Sequence, residues 1–401
     1  MRVLISGGGI GGPALAVALH RAGIEAQVFE AHTGPATALG SHLSLAPNGL
    51  SVLDTLGLLD TVTAAAAFHS DRIEFRNGTG RLLGALDDRS AHQGEDLRTI
   101  TITRGLLQKA LADGAADHAV PVTYGKRLVS HTDTGHGVRV TFADGSTAEG
   151  DVLVGADGIH SPVRRSMDPA APEPAYTGLL NLGGRLPPGA LPATPEGTTR
   201  MVFGRRAFLG YQTGAEGTLW FVNLPHPEPT AADTAPAQGW KEHVKGLFTD
   251  EQPHIAAALD QAEESAFTPL GVYDIASLAH WTRGRVALLG DAAHAMSSSS
   301  GQGASQALED ALVLAMCLRD VPDPAAALRT YERLRRDRVE RVVAEGRRRG
   351  ASKLATNRVQ VLLRDLFLPV VFRVISRFDQ HAWVFEHRID FTDTVRIPAE
   401  H

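Results

Sequence analysis

Three glycines near the amino terminus have the spacing of a site for a dinucleotide. Gly7, Gly9 and Gly12 form a GxGxxG motif between the apolar stretch 3–6 and an amphipathic helical pattern. In such a motif the first glycine allows a tight turn, the second lets the backbone approach a pyrophosphate, and the third lets the helix pack on the strand. Glu30 ends a second predicted strand, where a carboxylate binds ribose hydroxyls and disfavours a 2′-phosphate. The pattern predicts a bound dinucleotide and leaves open whether it is FAD or NAD.

A second stretch, Val286–Asp310, joins a carboxylate at a strand tip to a helix that begins in a Ser- and Gly-rich loop. The apolar residues 286–289 predict a buried strand, Gly290 and Asp291 follow at its tip, and a helical pattern begins at about Ala304. A carboxylate can bind sugar hydroxyls, and the free N–H groups at a helix amino terminus favour negative charge. These features suit a reduced flavin on its ribityl chain, although taken alone they also fit an ordinary strand–loop–helix unit.

Two further elements carry polar groups that suit the same ligand. Arg104 stands at the start of a predicted helix, where a cation is poorly placed for the helix dipole, so we expect another partner such as a cofactor phosphate. Asp157 and Gly158 follow the predicted strand 151–154. Because the tips of parallel strands converge on one crevice, we expect Asp157 and Asp291 to face one ligand. A plain surface arginine and a simple strand–turn–helix unit are the alternatives.

Taken together and in this order, the motifs resemble the FAD-dependent aromatic hydroxylases, the single-component class A flavoprotein monooxygenases. Salicylate-hydroxylase-like and para-hydroxybenzoate-hydroxylase-like enzymes belong to this group. The resemblance rests on the glycine turn with its acid, the Arg104 helix, GADGIHSPVR at 155–164, and GDAAHAM with GQGASQALEDA at 290–311. It covers most of residues 1–350.

The resemblance implies a role for each motif. The glycine turn would hold the ADP part of FAD, the following acid its ribose, the DG motif both FAD and the pyridine nucleotide, and the GD motif the ribityl chain. The implied cofactor-binding residues are Gly7, Gly9, Gly12, Glu30, Arg104, Asp157, Gly158, Gly290, Asp291, Gly301, Gln302, Gly303 and Ala304. The chain departs from the family in the loop beside the flavin, where Ser297–Ser300 replace a usual proline pair and Ser305 replaces a frequent asparagine.

The implied activity is that of an NAD(P)H-dependent monooxygenase. NADPH or NADH would reduce FAD and leave, O2 would add to the reduced flavin as a C4a-hydroperoxide, and its distal oxygen would pass to an aromatic or polyketide-like small molecule. Epoxidation and Baeyer–Villiger insertion share the same motifs. A flavin reductase that does not oxygenate, and a non-catalytic flavin-binding protein, are the other hypotheses.

The substrate side is less marked in the sequence. Alternating and apolar runs within residues 175–271 predict an antiparallel sheet, and the family resemblance implies that this sheet roofs the flavin. Its aromatic residues are candidate walls for a flat substrate, although each also fits a plain core position: Phe203, Phe208, Tyr211, Trp220 and Phe221. Tyr211 and His226 are the only nearby groups suited to orient a phenol, so they are the candidate catalytic residues.

The elements that must position these residues predict an α/β fold, α+β overall. We expect a Rossmann-like FAD-binding domain with a parallel sheet, a β-sheet substrate domain, and C-terminal helices. The predicted bounds are 1–70, 98–174 and 272–350 for the discontinuous FAD-binding domain, 71–97 and 175–271 for the substrate domain, and 351–401 for the helical segment. The mixed charges of 321–350, with Arg335 among them, predict a solvated helix face.

Composition excludes several other classes of protein. The 401 residues suggest two domains, and the net charge of −6 gives no support for nucleic-acid binding. One cysteine, Cys317, excludes an intramolecular disulfide and a cysteine-rich zinc site, and no metal site is predicted. No signal peptide and no apolar run of membrane-spanning length are visible, so we expect a cytoplasmic protein, as a monomer or a homodimer.

Overall fold

The computed structural model describes residues 1–35, 42–87, 97–229, 238–351, 353, 357–375 and 382–396. Its strands are β1 (Arg2–Ser6), β2 (Glu25–Phe29), β3 (His42–Leu45), β4 (Phe68–His69), β5 (Arg72–Asn77), β6 (Leu82–Asp87), β7 (Ile100–Thr103), β8 (Val122–Thr123), β9 (Leu128–Asp133), β10 (Val138–Phe142), β11 (Thr147–Gly150), β12 (Val152–Gly155), β13 (Ala175–Leu186), β14 (Thr198–Phe203), β15 (Phe208–Gly214), β16 (Gly217–Pro225), β17 (Leu270–Asp274), β18 (Thr282–Arg283) and β19 (Val286–Leu288).

The α-helices alternate with these strands and close the chain. They are α1 (Gly11–Arg21), α2 (Pro47–Leu56), α3 (Leu59–Ala64), α4 (Arg104–Asp117), α5 (Pro162–Met167), α6 (Gly239–Phe248), α7 (Pro253–Leu259), α8 (Asp291–His294), α9 (Gly303–Asp320), α10 (Pro324–Ala351), α11 (Arg358–Ile375) and α12 (Ala382–Phe385). Short 3-10 turns cover Glu264–Phe267 and Ser298–Ser300.

A six-stranded sheet in the order β18-β19-β12-β1-β2-β8 forms the first core. All of its neighbouring strands pair in parallel except β18 and β19. β1 and β12 are apolar runs buried along almost their whole length, as expected for parallel strands covered on both faces. The helices α1 and α9 pack against each other here through small and branched residues. The predicted α/β architecture is confirmed.

A seven-stranded sheet in the order β17-β13-β16-β15-β14-β5-β6 forms the second core. Its strands are antiparallel except for the parallel pair β14 and β5. Leucines and other apolar residues of one sheet face pack on α6, α7 and the turn Glu264–Phe267. The division of the chain into an FAD-binding and a substrate domain stays a proposal, in which these two sheets are the two cores.

Three local sequence patterns predict elements that differ from those in the structure. The amphipathic pattern of 240–262 predicts one helix, which is broken into α6 and α7, because Pro253 has no N–H to continue α6 and instead begins α7. The sequence predicts a loop at His42, but this residue lies in β3, which pairs with β7. Residues 200–208 predict one strand, but a turn closed by the Gly204 N–H donating to the Ala207 carbonyl separates β14 from β15.

Helix α10 corrects the expectation of a solvated charged face. Arg335 is 1% exposed, and its guanidinium lies against the carboxylates of Glu309 and Asp310 on α9. Arg333, two residues earlier, is exposed as expected. The mixed-charge pattern therefore did not reveal that Arg335 forms two buried ion pairs. In the described part of the chain, no helix has both the length and the apolar character needed to cross a bilayer.

Candidate active site

The carboxyl ends of four adjacent strands, β19, β12, β1 and β2, meet at one edge of the six-stranded sheet. Backbone hydrogen bonds continue past the strands and tie their turns together. The Leu289 N–H donates to Gly155 at 2.9 Å, the Ala156 N–H to Ser6 at 2.7 Å, and the Gly7 N–H to Phe29 at 2.7 Å. The glycine turn, the DG motif, the GD motif and Glu30 are thereby gathered around one crevice.

Steric contacts with the protein require glycine at two of the three motif positions, whereas the third position faces open space. Gly7 has φ of 115°, and a Cβ atom there would overlap the Ala156 carbonyl. A Cβ atom on Gly12 would overlap the Gly7 carbonyl, so both glycines are required by the turn itself. A Cβ atom on Gly9 would meet nothing within 4 Å. Gly9 therefore leaves the backbone open to a ligand.

Glu30 is held in place by the turn it faces. Its carboxylate accepts the Gly8 N–H at 2.7 Å and the His32 N–H at 2.8 Å, and the residue is 8% exposed. Gln108 on α4 donates its side-chain amide to the Gly8 carbonyl at 2.8 Å. The sequence analysis missed Gln108, whose only signal is its position four residues after Arg104, on the same helix face.

Arg104 and Asp157 each have an unused polar group near the crevice. Arg104 opens α4, is exposed, and makes no hydrogen bond or ion pair with any described residue. Oδ2 of Asp157 accepts the Val163 N–H at 3.1 Å, whereas Oδ1 is buried without a partner among the described residues. Burial raises the pKa of Asp157 to about 6. Both side chains are therefore available to a ligand that supplies donors and negative charge.

The GD motif is held by a hydrogen bond to a side chain of α9. Gly290 has φ of 61°, and its N–H donates to Oδ2 of Asp310 at 3.0 Å. Asp291 is half-buried and begins α8. A Cβ atom on Gly303 would lie 3.9 Å from Oδ1 of Asp291, so this carboxylate stands beside the amino terminus of α9. The structure thus brings together the two parts of the Val286–Asp310 stretch.

Serine hydroxyls order the loop where the family usually has prolines. Oγ of Ser297 accepts the Ser299 N–H at 3.3 Å, and Oγ of Ser300 accepts the Gln302 N–H at 3.1 Å. Gly301 follows with φ of 63°, and α9 then begins at Gly303 with no side chain capping its first N–H groups. Local hydrogen bonds thus take the place of proline stiffness, and the helix amino terminus stays open.

Ser305, the second departure from the family, is turned towards α2. It is fully buried, and its hydroxyl accepts the Ala46 N–H at 3.3 Å. A Cβ atom on Gly49 would lie 2.6 Å from the same oxygen, so the helices are in close contact. Ser305 therefore fixes α2 against α9.

A buried polar network supports this loop from the side of α10. Arg335 donates to Asp310 at 2.7 Å and to Glu309 at 2.6 Å, and Arg338 also donates to Glu309. Burial would raise the pKa of Glu309, but the two guanidinium groups outweigh it and lower the pKa to about 2. The pKa of Asp310 is likewise held below its usual range, since His294 and Arg335 outweigh its burial. These carboxylates are structural anions that fix α9.

The predicted substrate-wall residues lie on opposite faces of the seven-stranded sheet. Tyr211 and Trp220 point into the apolar core beneath α6 and α7, where the Tyr211 hydroxyl accepts from Arg200 at 2.9 Å. Phe208 and Phe221 point to the other face, together with Phe203. The structure therefore does not bring the five predicted wall residues together on one face.

The two candidate acid–base groups also lie on the helix-covered side. Tyr211 is 4% exposed within the core. His226 is at the surface, where Nδ1 lies 2.7 Å from the Pro227 carbonyl and the ring packs on Trp240 at 5.5 Å. Neither side chain faces the aromatic surface formed by Phe208 and Phe221.

One ammonium group joins that aromatic surface to the serine loop. Lys353, just after α10, donates to Oδ1 of Asn223 at 2.7 Å and to Oγ of Ser299 at 3.0 Å. Its nitrogen lies 4.3 Å from the centre of the Phe208 ring and 6.0 Å from that of Phe221. The aromatic face of the sheet therefore lies directly opposite the loop that leads into α9.

The residues around the crevice fit FAD. Gly9 leaves space for a pyrophosphate. Among the described residues, Arg104 has no hydrogen-bond or ion-pair partner, and the buried Asp157 Oδ1 and Gln302 Nε2 have no hydrogen-bond partner. Glu30 stands where a ribose would bind, and Asp291 stands beside the open helix amino terminus. When bound, FAD would supply the redox chemistry, for which the protein provides orientation and charge complementarity.

Comparison with known proteins agrees with this site. Residues 1–346 match the family model described as an FAD binding domain. The chain belongs to the FAD-dependent class A flavoprotein monooxygenases. It is 32% identical over 356 residues to the FAD-dependent urate hydroxylase of Klebsiella oxytoca, covering 87% of this chain and 89% of the relative.

Two further relatives extend the likeness over almost the whole chain. The 3-amino-4-hydroxybenzoate 2-monooxygenase PtnB3 of Streptomyces platensis is 32% identical over 406 residues, covering 96% of this chain and 95% of the relative. The structure of Klebsiella pneumoniae HpxO with FAD and uric acid superposes with a TM-score of 0.83 at 28% identity, covering 94% and 96% of the two chains. The prediction of an FAD-dependent hydroxylase of this family is confirmed.

Proposed function

We propose that this monooxygenase uses NADPH or NADH and O2 to hydroxylate a small aromatic or polyketide-like molecule. The observation that carries the proposal is the aromatic surface of Phe208 and Phe221, which lies opposite the serine loop and is joined to it by Lys353. A flat substrate in that space would lie against the part of the protein that borders the flavin ring in the family. We expect the reaction to take place in the cytoplasm, where nicotinamide nucleotides supply reducing power.

Individual groups of the chain have distinct parts in this proposal. The open N–H groups at the start of α9 favour negative charge on the flavin ring. Asp291 would bind the ribityl chain, and Glu30 and Arg104 would hold the ADP part. The rings of Phe208 and Phe221 would help to exclude water from the substrate space, which limits side reactions of the bound cofactor. No described acid–base pair faces the aromatic surface, so orientation of the substrate carries the selectivity.

The test is oxygen incorporation by the purified, FAD-loaded protein. NADPH and NADH are supplied separately with a panel that includes 3-amino-4-hydroxybenzoate, urate, salicylate and phenolic polyketides. We expect at least one compound to stimulate NAD(P)H oxidation and to gain one atom from 18O2, as read by mass spectrometry. Substrate-stimulated NAD(P)H oxidation without labelled product would instead assign a flavin reductase. No stimulation by any compound would favour a non-catalytic flavin-binding protein.

A further inference from the structure

Lys353 is a half-buried cation whose partners among the described residues are all neutral. Asn223 and Ser299 accept two of its hydrogen bonds, and the rings of Phe208 and Phe221 lie beside it. Asn223 is itself 1% exposed, and it uses its amide N–H to bind Asn181. No carboxylate of a described residue lies within ion-pair distance of the Lys353 ammonium. A charge that is partly removed from water is usually paired with an opposite charge, so this arrangement is unusual.

The surroundings of Lys353 favour an incoming anion. Burial, with a smaller effect of Arg349, lowers the pKa of Lys353 to about 7. An ammonium ion retains one further N–H after the two hydrogen bonds to Asn223 and Ser299. A ligand oxygen that carries negative charge would accept that hydrogen bond and supply the missing counter-ion. The neighbouring phenylalanine rings would pack against a flat apolar ring attached to such an oxygen.

We propose that Lys353 binds a carboxylate or phenolate oxygen of the aromatic substrate and so selects anionic substrates. This inference rests on the proposed function, because it places the substrate between the aromatic surface and the serine loop. Lys353 holds the ring through its anionic group, while Phe208 and Phe221 form the wall behind it. The ammonium takes no part in oxygen transfer; it orients the ring.

The arrangement differs from that of a lysine that only supports the fold. Lys241 provides the comparison, since it lies on the helix-covered side of the same sheet, 5.9 Å from the centre of the Phe267 ring. It donates to the Ala262 carbonyl at 2.8 Å, a contact that ties two elements together. Lys241→Met is therefore a matched control that removes a cation near an aromatic ring without affecting the proposed anion site.

The experiment measures ligand binding to FAD-loaded protein by the change in the flavin absorption spectrum. The probes are benzoate, salicylate and 3-amino-4-hydroxybenzoate, each paired with its neutral carboxamide, and 4-nitrophenol as a phenolate. We expect the wild type to prefer each anion over its amide. Lys353→Met should bind the anions about tenfold to a hundredfold more weakly and the amides unchanged, and Lys241→Met should resemble the wild type.

A second variant keeps Lys353 and gives its ammonium a counter-ion that belongs to the protein. Ser299→Asp places a carboxylate beside the ammonium and should weaken anion binding to a similar extent, so it tests the proposal even where Lys353→Met fails to fold. Equal binding of anions and amides by the wild type, or absence of any anion binding at millimolar concentration, would overturn the proposal. So would a lowered flavin reduction potential in Lys353→Met with unchanged anion binding, because the ammonium would then serve the flavin.

The same preparations separate this inference from the proposed function. NAD(P)H oxidation and 18O incorporation with a neutral substrate would keep the monooxygenase assignment while rejecting the anion site. Anion binding that depends on Lys353, without any oxygen incorporation, would support the site and reject the activity.

Discussion

At the level of single residues, the glycines of the GxGxxG turn are required for two different reasons, the packing of the polypeptide and the approach of the cofactor. Gly12 is required by the polypeptide, because a Cβ atom there would overlap the Gly7 carbonyl. Gly9 is not required by the polypeptide, because its missing Cβ faces open space. One motif therefore contains a structural and a ligand-facing glycine, and alanine substitutions can tell them apart.

We expect Gly12→Ala to lower the free energy of unfolding of the apoprotein by about 1–3 kcal/mol, through overpacking of the turn. Gly9→Ala should change apoprotein stability by less than about 0.5 kcal/mol, as at a surface position. It should nevertheless weaken FAD binding roughly tenfold to a hundredfold, because the methyl group occupies space that a pyrophosphate would approach. Urea unfolding and FAD titration measure the two quantities. Equal loss of apoprotein stability in both variants would contradict the distinction.

Asp291 is the residue whose substitution most directly tests how FAD is bound. Its carboxylate stands beside the open amino terminus of α9. Removal of hydrogen bonds to a charged group costs about 1.5–3 kcal/mol, so Asp291→Ala should bind FAD roughly tenfold to a hundredfold more weakly. Asp54→Ala, which removes an exposed carboxylate on α2, is the control. A fully loaded and active Asp291→Ala enzyme would show that the ribityl chain is held elsewhere.

At the scale of elements, α9 is positioned by α10 through buried charge. Arg335 lies between Glu309 and Asp310, and Asp310 also accepts the Gly290 N–H in the GD motif. The guanidinium is thus linked through Asp310 to the backbone of the GD motif, which we propose borders the cofactor. Removal of one partner from a buried ion pair leaves an uncompensated charge, which is much more costly than loss of the pair's attraction.

Arg335→Met should therefore lower the free energy of unfolding by about 3–5 kcal/mol. Arg333→Met, on the exposed face of the same helix, should change it by less than about 0.5 kcal/mol. Chemical denaturation of the two apoproteins measures both effects. A similar small change in both variants would mean that other cations compensate the negative charges of Glu309 and Asp310.

At the scale of the whole molecule, the same network makes stability depend on pH. The pKa values of Glu309 and Asp310 are lowered in the folded protein, so the unfolded chain binds protons first as the pH falls. Their contribution to stability is complete above about pH 5 and is lost as the pH falls towards and through their folded pKa values.

We expect the free energy of unfolding of the wild-type apoprotein to fall steeply between about pH 5 and pH 2. Arg335→Met should show a shallower fall over the same window, because without the guanidinium the two folded pKa values move back towards those of the unfolded chain. Urea unfolding at a series of pH values tests this difference. Parallel curves for the two proteins would place the acid sensitivity elsewhere.

The residues proposed to bind the cofactor could be recognised from local patterns in the sequence. The glycine spacing, Glu30, Asp157 and Asp291 are local signals, because each depends on a strand and the turn that follows it. Parallel strands then bring their tips to one edge without further information. For this reason the α/β fold class and a dinucleotide site could be predicted from these residues, and the resemblance of the ordered motifs to the class A flavoprotein monooxygenases supplied the FAD cofactor and the family.

The placement of the residues on the proposed substrate side depends on tertiary contacts that the sequence does not reveal. Alternation within a strand shows that Trp220 and Phe221 face opposite ways, but only packing shows that the helices α6 and α7 cover the Trp220 side. Arg335 carried no sign of burial within a mixed-charge helix. Lys353 meets Asn223 across 130 positions of sequence. Such contacts join distant parts of the chain, so no local pattern of residues encodes them, and the chain's own selectivity for substrate is expected to lie in them.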